Sequence, residues 1–160
     1  MAEEAAASKL APFNPTAAEA IEAALDMAAV RAGDRVFDIG CGDGRLLIAA
    51  AQRGATCVGI EYDAVFAGRA EAAAAAAGLS HAVRIVHGDA TVVTDLTGAT
   101  VVFVYLVPDG LKLMMPRLTA ALAAGARLLS NMFALPGLVH TERRLAKGLP
   151  VYLYLPSAVP

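Results

Sequence analysis

Apolar and polar positions follow two different periods along this chain. From Ala17 to Ala29 the apolar residues Ala17, Ile21, Ala24, Leu25 and Ala28 recur at helical spacing, which predicts a helix. Thr16 reads as its N-cap, with Glu19 three residues on completing a capping box. Beyond "RAGD" short apolar runs alternate with longer helical ones. "RVFDI" (35–39), "TCVGIE" (56–61), "AVRIVHG" (82–88), "TVVFVYLV" (100–107) and "ARLLSNMF" (126–133) read as strands. "RLLIAAAQRG" (45–54), closed by Gly54, and "AVFAGRAEAAAAAAG" (64–78), stopped by Gly78, read as helices. "GLKLMMPRLTAALAA" (110–124) is a third, in which Pro116 is expected to kink the helix or delay its start. "LVHTERRL" (138–145) and "LPVYLYL" (149–155) flank "AKG". That tail reads as a hairpin with glycine in its turn, favoured by the alternation of "VYLYL" over a short helix at 138–147.

Strand and helix alternating in this way imply an α/β, doubly wound, mostly parallel sheet with helices on both faces. "TVVFVYLV" is apolar throughout, as a strand buried on both faces should be. Neither repeat nor linker interrupts the pattern, so residues 1–160 are expected to form one domain, with 1–11 as a flexible lead. Ligands on such sheets bind beyond the carboxyl ends of the strands, at the switch point.

Composition narrows the partners. The 160 residues are 58% hydrophobic with a formal net charge of −2, so no basic field exists to hold a polyphosphate backbone. Cys41 and Cys57 form no CxxC and join no His/Cys cluster. Neither a metal site nor a disulfide is expected, and the thiols suit a reducing, cytoplasmic setting. No apolar run approaches the ~18 residues of a membrane span. The N-terminal stretch shows neither a secretory h-region nor an arginine-rich transit pattern.

The chemistry gathers at the strand ends. "VFDIGCGDGR" follows the first strand with Gly40, Gly42 and Gly44, alternate residues that would be unlikely as plain packing. Glu61 ends the second strand, where an acid can accept both ribose hydroxyls. Asp89 follows the third, placed to accept from an adenine amino group while the Ala90 N–H donates to the ring. Each acid alone also reads as a loop acid or helix cap. Counting from Gly40, a dinucleotide fingerprint needs glycine at 45, where Arg45 stands, and no Walker string is present. Asp38 stands where a second negative group would repel a pyrophosphate. The pattern acid-x-Gly-x-Gly-x-Gly suits a ligand with a positive end, the ammonium and sulfonium of S-adenosylmethionine.

"DIGCGDG", "GIEYD" and "HGDA" resemble the first three motifs of class I methyltransferases. That resemblance implies a Rossmann-like sheet of seven strands, with an antiparallel C-terminal hairpin. It also implies that Asp38, Gly40, Cys41 and Gly42 cradle the methionine part, Glu61 holds the ribose, Asp89 and Ala90 hold the adenine, and Gly44 and Tyr62 also bind the cofactor. "PFNPT", "GDRVFDIGCGDGRLLIAAA", "VVFVYLVPDGLKLMMPRL" and "GARLLSNMF" further resemble a family of small protein-lysine methyltransferases. The family includes a compact archaeal enzyme of broad specificity and mitochondrial enzymes that modify ATP synthase subunit c and the adenine nucleotide translocase. "VYLVPDG" departs from the (Asn/Asp)-Pro-Pro-aromatic of nucleic-acid amine methyltransferases, so the resemblance implies a protein partner with an accessible lysine. It makes Asn14, Pro15 and Thr16 candidates for closing the site, though they read equally as a helix cap preceded by turn prolines. Tyr105 carries two readings of equal weight, a wall of the acceptor channel or the buried end of a core strand. His81, His87 and His140 have no spaced partner and read as structural or solvated.

Overall fold

The computed structural model describes residues 15–157. Its strands and helices run α1 Ala18–Met27, β1 Arg35–Ile39, α2 Arg45–Gln52, β2 Thr56–Glu61, α3 Ala64–Ala76, β3 Val83–His87 and α4 Ala90–Val93. There follow β4 Val101–Val104, α5 Pro108–Ala123, β5 Arg127–Asn131, β6 Glu142–Ala146 and β7 Leu149–Tyr154. They build one seven-stranded sheet in the order β3-β2-β1-β4-β5-β7-β6. The first five strands are parallel; β7 runs antiparallel to both β5 and β6. The expected Rossmann-like sheet with its terminal hairpin is what the chain forms. Lys147 (φ 49°) and Gly148 (φ 76°) make the two-residue turn, whose left-handed backbone matches the strand twist.

Alternation along the strands divides the core in two. Val36, Val101, Phe103 and Leu129 pack with Ile21, Leu25 and Leu47 of α1 and α2. Phe37, Val102, Val104 and Leu128 pack with Leu111, Met114 and Leu118 of α5. Both faces of the central strands are covered by helices, which is why those strands are apolar without a break.

Helix boundaries depart from expectation where caps decide them. The N-cap of α1 is Ala17, with no side-chain cap bond, so the capping box does not form. Starting one residue later puts Glu19 in the second helical position, out of step with Thr16; its carboxylate instead lies 3.4 Å from Lys147 Nζ. The helix stops at Met27. Val30 N–H reaches Leu25 C=O and Ala29 N–H reaches Asp26 C=O, with Ala29 left-handed at φ 51°. This is a Schellman closure with alanine where glycine is preferred. Ala29→Gly should therefore stabilise the protein by about 0.5–1 kcal/mol, read as a thermal melt shifted up by ~2 °C. α5 runs unbroken through Pro116 and begins at Pro108, which replaces an N–H that has no helical acceptor there anyway. The carbonyl that Pro116 deprives of a donor belongs to exposed Lys112.

At the amino ends of the strands a polar knot holds β1, β4 and β5 together. The Asp34 carboxylate accepts from Thr100 Oγ1 (2.8 Å), Arg31 N–H (3.0 Å) and the Arg127 guanidinium. Arg127 also donates to Ala28 C=O at 2.8 Å, which fixes the end of α1.

Candidate active site

The glycine loop is built by three left-handed residues, Gly40 (φ 80°), Gly42 (φ 56°) and Gly44 (φ 83°). They turn the chain back on itself, so that Gly40 and Cys41 N–H both reach Ile60 C=O, at 2.8 and 3.0 Å. A side chain on Gly44 would meet Ala70 Cβ at 3.0 Å; its absence lets α2 and α3 approach. Glu61 braces the loop from the next strand. Its Oε1 accepts from Gly42 N–H at 2.9 Å and its Oε2 from Asp63 N–H at 3.1 Å. That bracing was not legible in the sequence. It leaves a second lone pair on each oxygen, available to hydroxyls.

Asp38 lies beside this loop on the α1 face of the sheet, two residues from Val36, and is only 5% exposed. Among the described residues no donor reaches its carboxylate. Burial, and then the carboxylates of Glu61 and Asp43, push its pKa up to about 8. With no donor among the described residues, this carboxyl is costly to ionise in the free fold. Asp43 differs: the hydrogen bond from Arg45 holds its carboxyl below the usual range. The Cys41 side chain packs inward against Gly59, so only its backbone faces the loop; burial and then Asp38 raise its thiol pKa. Cys57 is likewise a buried, free thiol, pushed up to about 12 by burial and Asp38. Among the described residues no cluster suits a metal ion.

The third acid takes up its helix-cap reading. Asp89 caps α4, a short helix the apolar pattern does not reveal, with Oδ1 accepting from Thr91 N–H at 2.9 Å and Thr91 Oγ1 at 2.7 Å. Its Oδ2 takes no part in the cap. Ala90 is the first residue of that helix, so its N–H has no intrahelical acceptor. Tyr62 is 38% exposed, and its carbonyl accepts from His87 Nε2 at 2.9 Å, tying the ends of β2 and β3.

On the other side of β1, Tyr105 follows β4 rather than ending it. It is half-buried against the α1-side core, and its hydroxyl donates to Met132 Sδ at 3.7 Å. Pro15 and Thr16 lead into α1, on the same side of the sheet; Asn14 lies outside the described residues. Sequence reasoning missed Asn131, the last residue of β5, whose only signal was an amide ending an apolar strand. It is 4% exposed, and its Oδ1 is buried without a partner among the described residues. An open groove of about 530 Å³ lies elsewhere, among α1, α2 and α3, and none of the acids 38, 61 and 89 lines it.

Residues 38–142 match the family model described as the ANTKMT methyltransferase domain, which spans the loop, all three acids and Asn131. The chain belongs to this family. It is a class I, S-adenosylmethionine-dependent methyltransferase. A protein-lysine N-methyltransferase of Saccharolobus islandicus (strain REY15A) is 33% identical over 128 residues, 79% of each chain. Among solved structures, an RNA methyltransferase from Salinibacter ruber in complex with S-adenosyl-L-homocysteine matches this methyltransferase with a TM-score of 0.85 and 32% identity. The match covers 92% of this chain and 97% of that one. A SAM-dependent methyltransferase from Thiobacillus denitrificans, also in complex with S-adenosyl-L-homocysteine, matches at TM-score 0.66 and 25% identity, over 79% of this chain and 54% of that one. No described helix of this methyltransferase is long and apolar enough to cross a membrane.

Proposed function

We propose that this methyltransferase methylates the side-chain amine of a protein lysine, and that Asp38, the glycine loop, Glu61 and Asp89 hold its cofactor. The residues fit that group. Asp38 offers a buried carboxyl that no donor among the described residues reaches, and the cofactor's ammonium ionises it and pairs with it. Gly40, Gly42 and Gly44 bring bare backbone to the methionine part. Glu61 accepts from the ribose while still bracing the loop, beside Tyr62. Asp89 Oδ2 and the Ala90 N–H are left for the adenine edge. Cys41 contributes backbone alone. Pro15 and Thr16, which lead into α1, are assigned to closing the site; Asn14, the third candidate, lies outside the described residues.

When bound, S-adenosylmethionine supplies a methyl carbon on a sulfonium, which a neutral amine takes with its own lone pair as the carbon–sulfur electrons return to sulfur. The chain's part is to position the amine and keep water away; such positioning can supply roughly 7–11 kcal/mol. Tyr105, half-buried against the apolar core on the α1 face, gives the acceptor a poorly hydrated approach, which favours the uncharged amine.

The observation that carries the lysine reading is the 33% identity to a protein-lysine N-methyltransferase over 79% of both chains. The net charge of −2 agrees with it. RNA is the second reading, because the Salinibacter ruber structure is described as an RNA methyltransferase. Radiolabelled S-adenosylmethionine with cell lysate separates them. We expect label in protein that survives nuclease and is recovered as methyl-lysine after hydrolysis. Label removed by nuclease establishes RNA instead.

A further inference from the structure

Three same-face positions converge at the carboxyl ends of β1, β4 and β5. Asp38 lies on the α1 face of β1, and Tyr105 packs against the core on that face. Asn131 is two residues beyond Leu129, which packs there too. Val104 pairs with Ser130 in parallel register, so Tyr105 and Asn131 leave the sheet side by side. Met132 strengthens the junction: it is left-handed at φ 72°, and its sulfur accepts from the Tyr105 hydroxyl. The residues proposed to hold the cofactor lie in β1 (Asp38), at the end of β2 (Glu61) and two residues beyond β3 (Asp89). Strands β4 and β5 lie on the opposite side of β1, so their tips face whatever approaches the reactive end of the cofactor.

We propose that Asn131 seats the methyl-accepting amine, its side-chain carbonyl taking a hydrogen bond from the amine N–H while Tyr105 walls the approach. The proposal rests on the methyltransferase reading and deepens it. The Asn131 Oδ1 is buried with no partner among the described residues, and a buried acceptor left unpaired is costly to keep. A half-turn about its last torsion exchanges oxygen and nitrogen, so the carbonyl can face the acceptor. The amide also has the right charge. A carboxylate would attract a proton to the amine and keep it cationic, without a lone pair for transfer; a neutral acceptor orients the amine and leaves it uncharged.

The test uses Asn131→Leu and Asn131→Asp in the full chain, with radiolabel transfer, calorimetric titration of S-adenosylhomocysteine and thermal melts. Asn131→Leu should bind S-adenosylhomocysteine as the wild type does and melt no lower. Its kcat/KM for the labelled acceptor should fall about 10–100-fold. Asn131→Asp should move the acid limb of the kcat/KM profile to higher pH, which a merely structural residue would not do. Transfer by Asn131→Leu within twofold of wild type overturns the proposal. So does a large loss of melting temperature together with lost S-adenosylhomocysteine binding, which makes Asn131 structural. The variants are compared on whichever material the wild type labels. Nuclease-sensitive label therefore overturns the lysine reading, while the variants still decide Asn131. No label from the wild type in either material overturns both.

Discussion

Asp38→Asn should weaken S-adenosylhomocysteine binding about a hundredfold and, in the same protein, remove a pH-dependent loss of stability. The binding loss follows from deleting the charge that meets the ligand's ammonium; a charge-assisted hydrogen bond contributes about 1.5–3 kcal/mol, the upper end being roughly a hundredfold. The stability effect follows from the carboxyl's displacement, about 8 in the fold against about 3.9 in the unfolded chain. Between those values the folded chain keeps a proton that the unfolded chain has released. The free wild type therefore loses stability as pH rises from about 4 to about 8, by at most ~1.4 kcal/mol per pH unit, and little more above. Asparagine does not titrate, so the melting temperatures of variant and wild type should separate across that window and run parallel beyond it. Ligand binding reverses the displacement, because an ammonium holds Asp38 ionised. Calorimetry near pH 7, in two buffers of different ionisation enthalpy, should register a proton released by the wild type and a smaller release by the variant. Parallel melting curves at every pH, together with unchanged affinity, would remove Asp38 from the site.

Asp34→Ala should act at the opposite end of the same strand and leave binding alone. Asp34 is buried and receives the Arg127 guanidinium, the Thr100 hydroxyl and the Arg31 N–H. Burial by itself would raise its pKa, but those donors outweigh it and hold the carboxyl below its ordinary value. Removing it leaves Arg127, only 20% exposed, without its counter-ion. The cost of such a deletion is about 3 kcal/mol, or a melting temperature lower by roughly 10 °C. The deficit should be complete above about pH 4 and shrink as pH falls through the folded carboxyl's depressed pKa, since protonation removes the same interaction from the wild type. S-adenosylhomocysteine affinity should stay within twofold, because the length of β1 separates the knot from the site. A melt within 2 °C of wild type near pH 7 would show that the knot contributes little.

The two ends of β1 were unequally legible. Asp38, Glu61 and Asp89 could be placed at strand tips because a glycine loop and the strand ends are local features. Glu61's grip on Gly42 N–H could not, because it joins residues brought together only by strand pairing. Asp34 sits in "RAGD" between the first helix and the first strand, and nothing near it in sequence announces Thr100 or Arg127. Asn131 passed as the end of an apolar run, because a single amide in a strand has no period. The N-terminal cap was misplaced for a related reason: Thr16 and Glu19 have the spacing of a capping box, but α1 starts one residue later.

What the order of residues determined by itself was the alternation of strand and helix, the bare loop after the first strand and the acids that follow, since each depends on backbone preference within a few positions. Tertiary structure alone decided which carboxyl no described donor reaches, which amide oxygen is buried at the end of β5, and which ion pair locks the amino ends. Burial and partnership are sums over neighbours distant in the chain, and they exist only once the sheet has assembled.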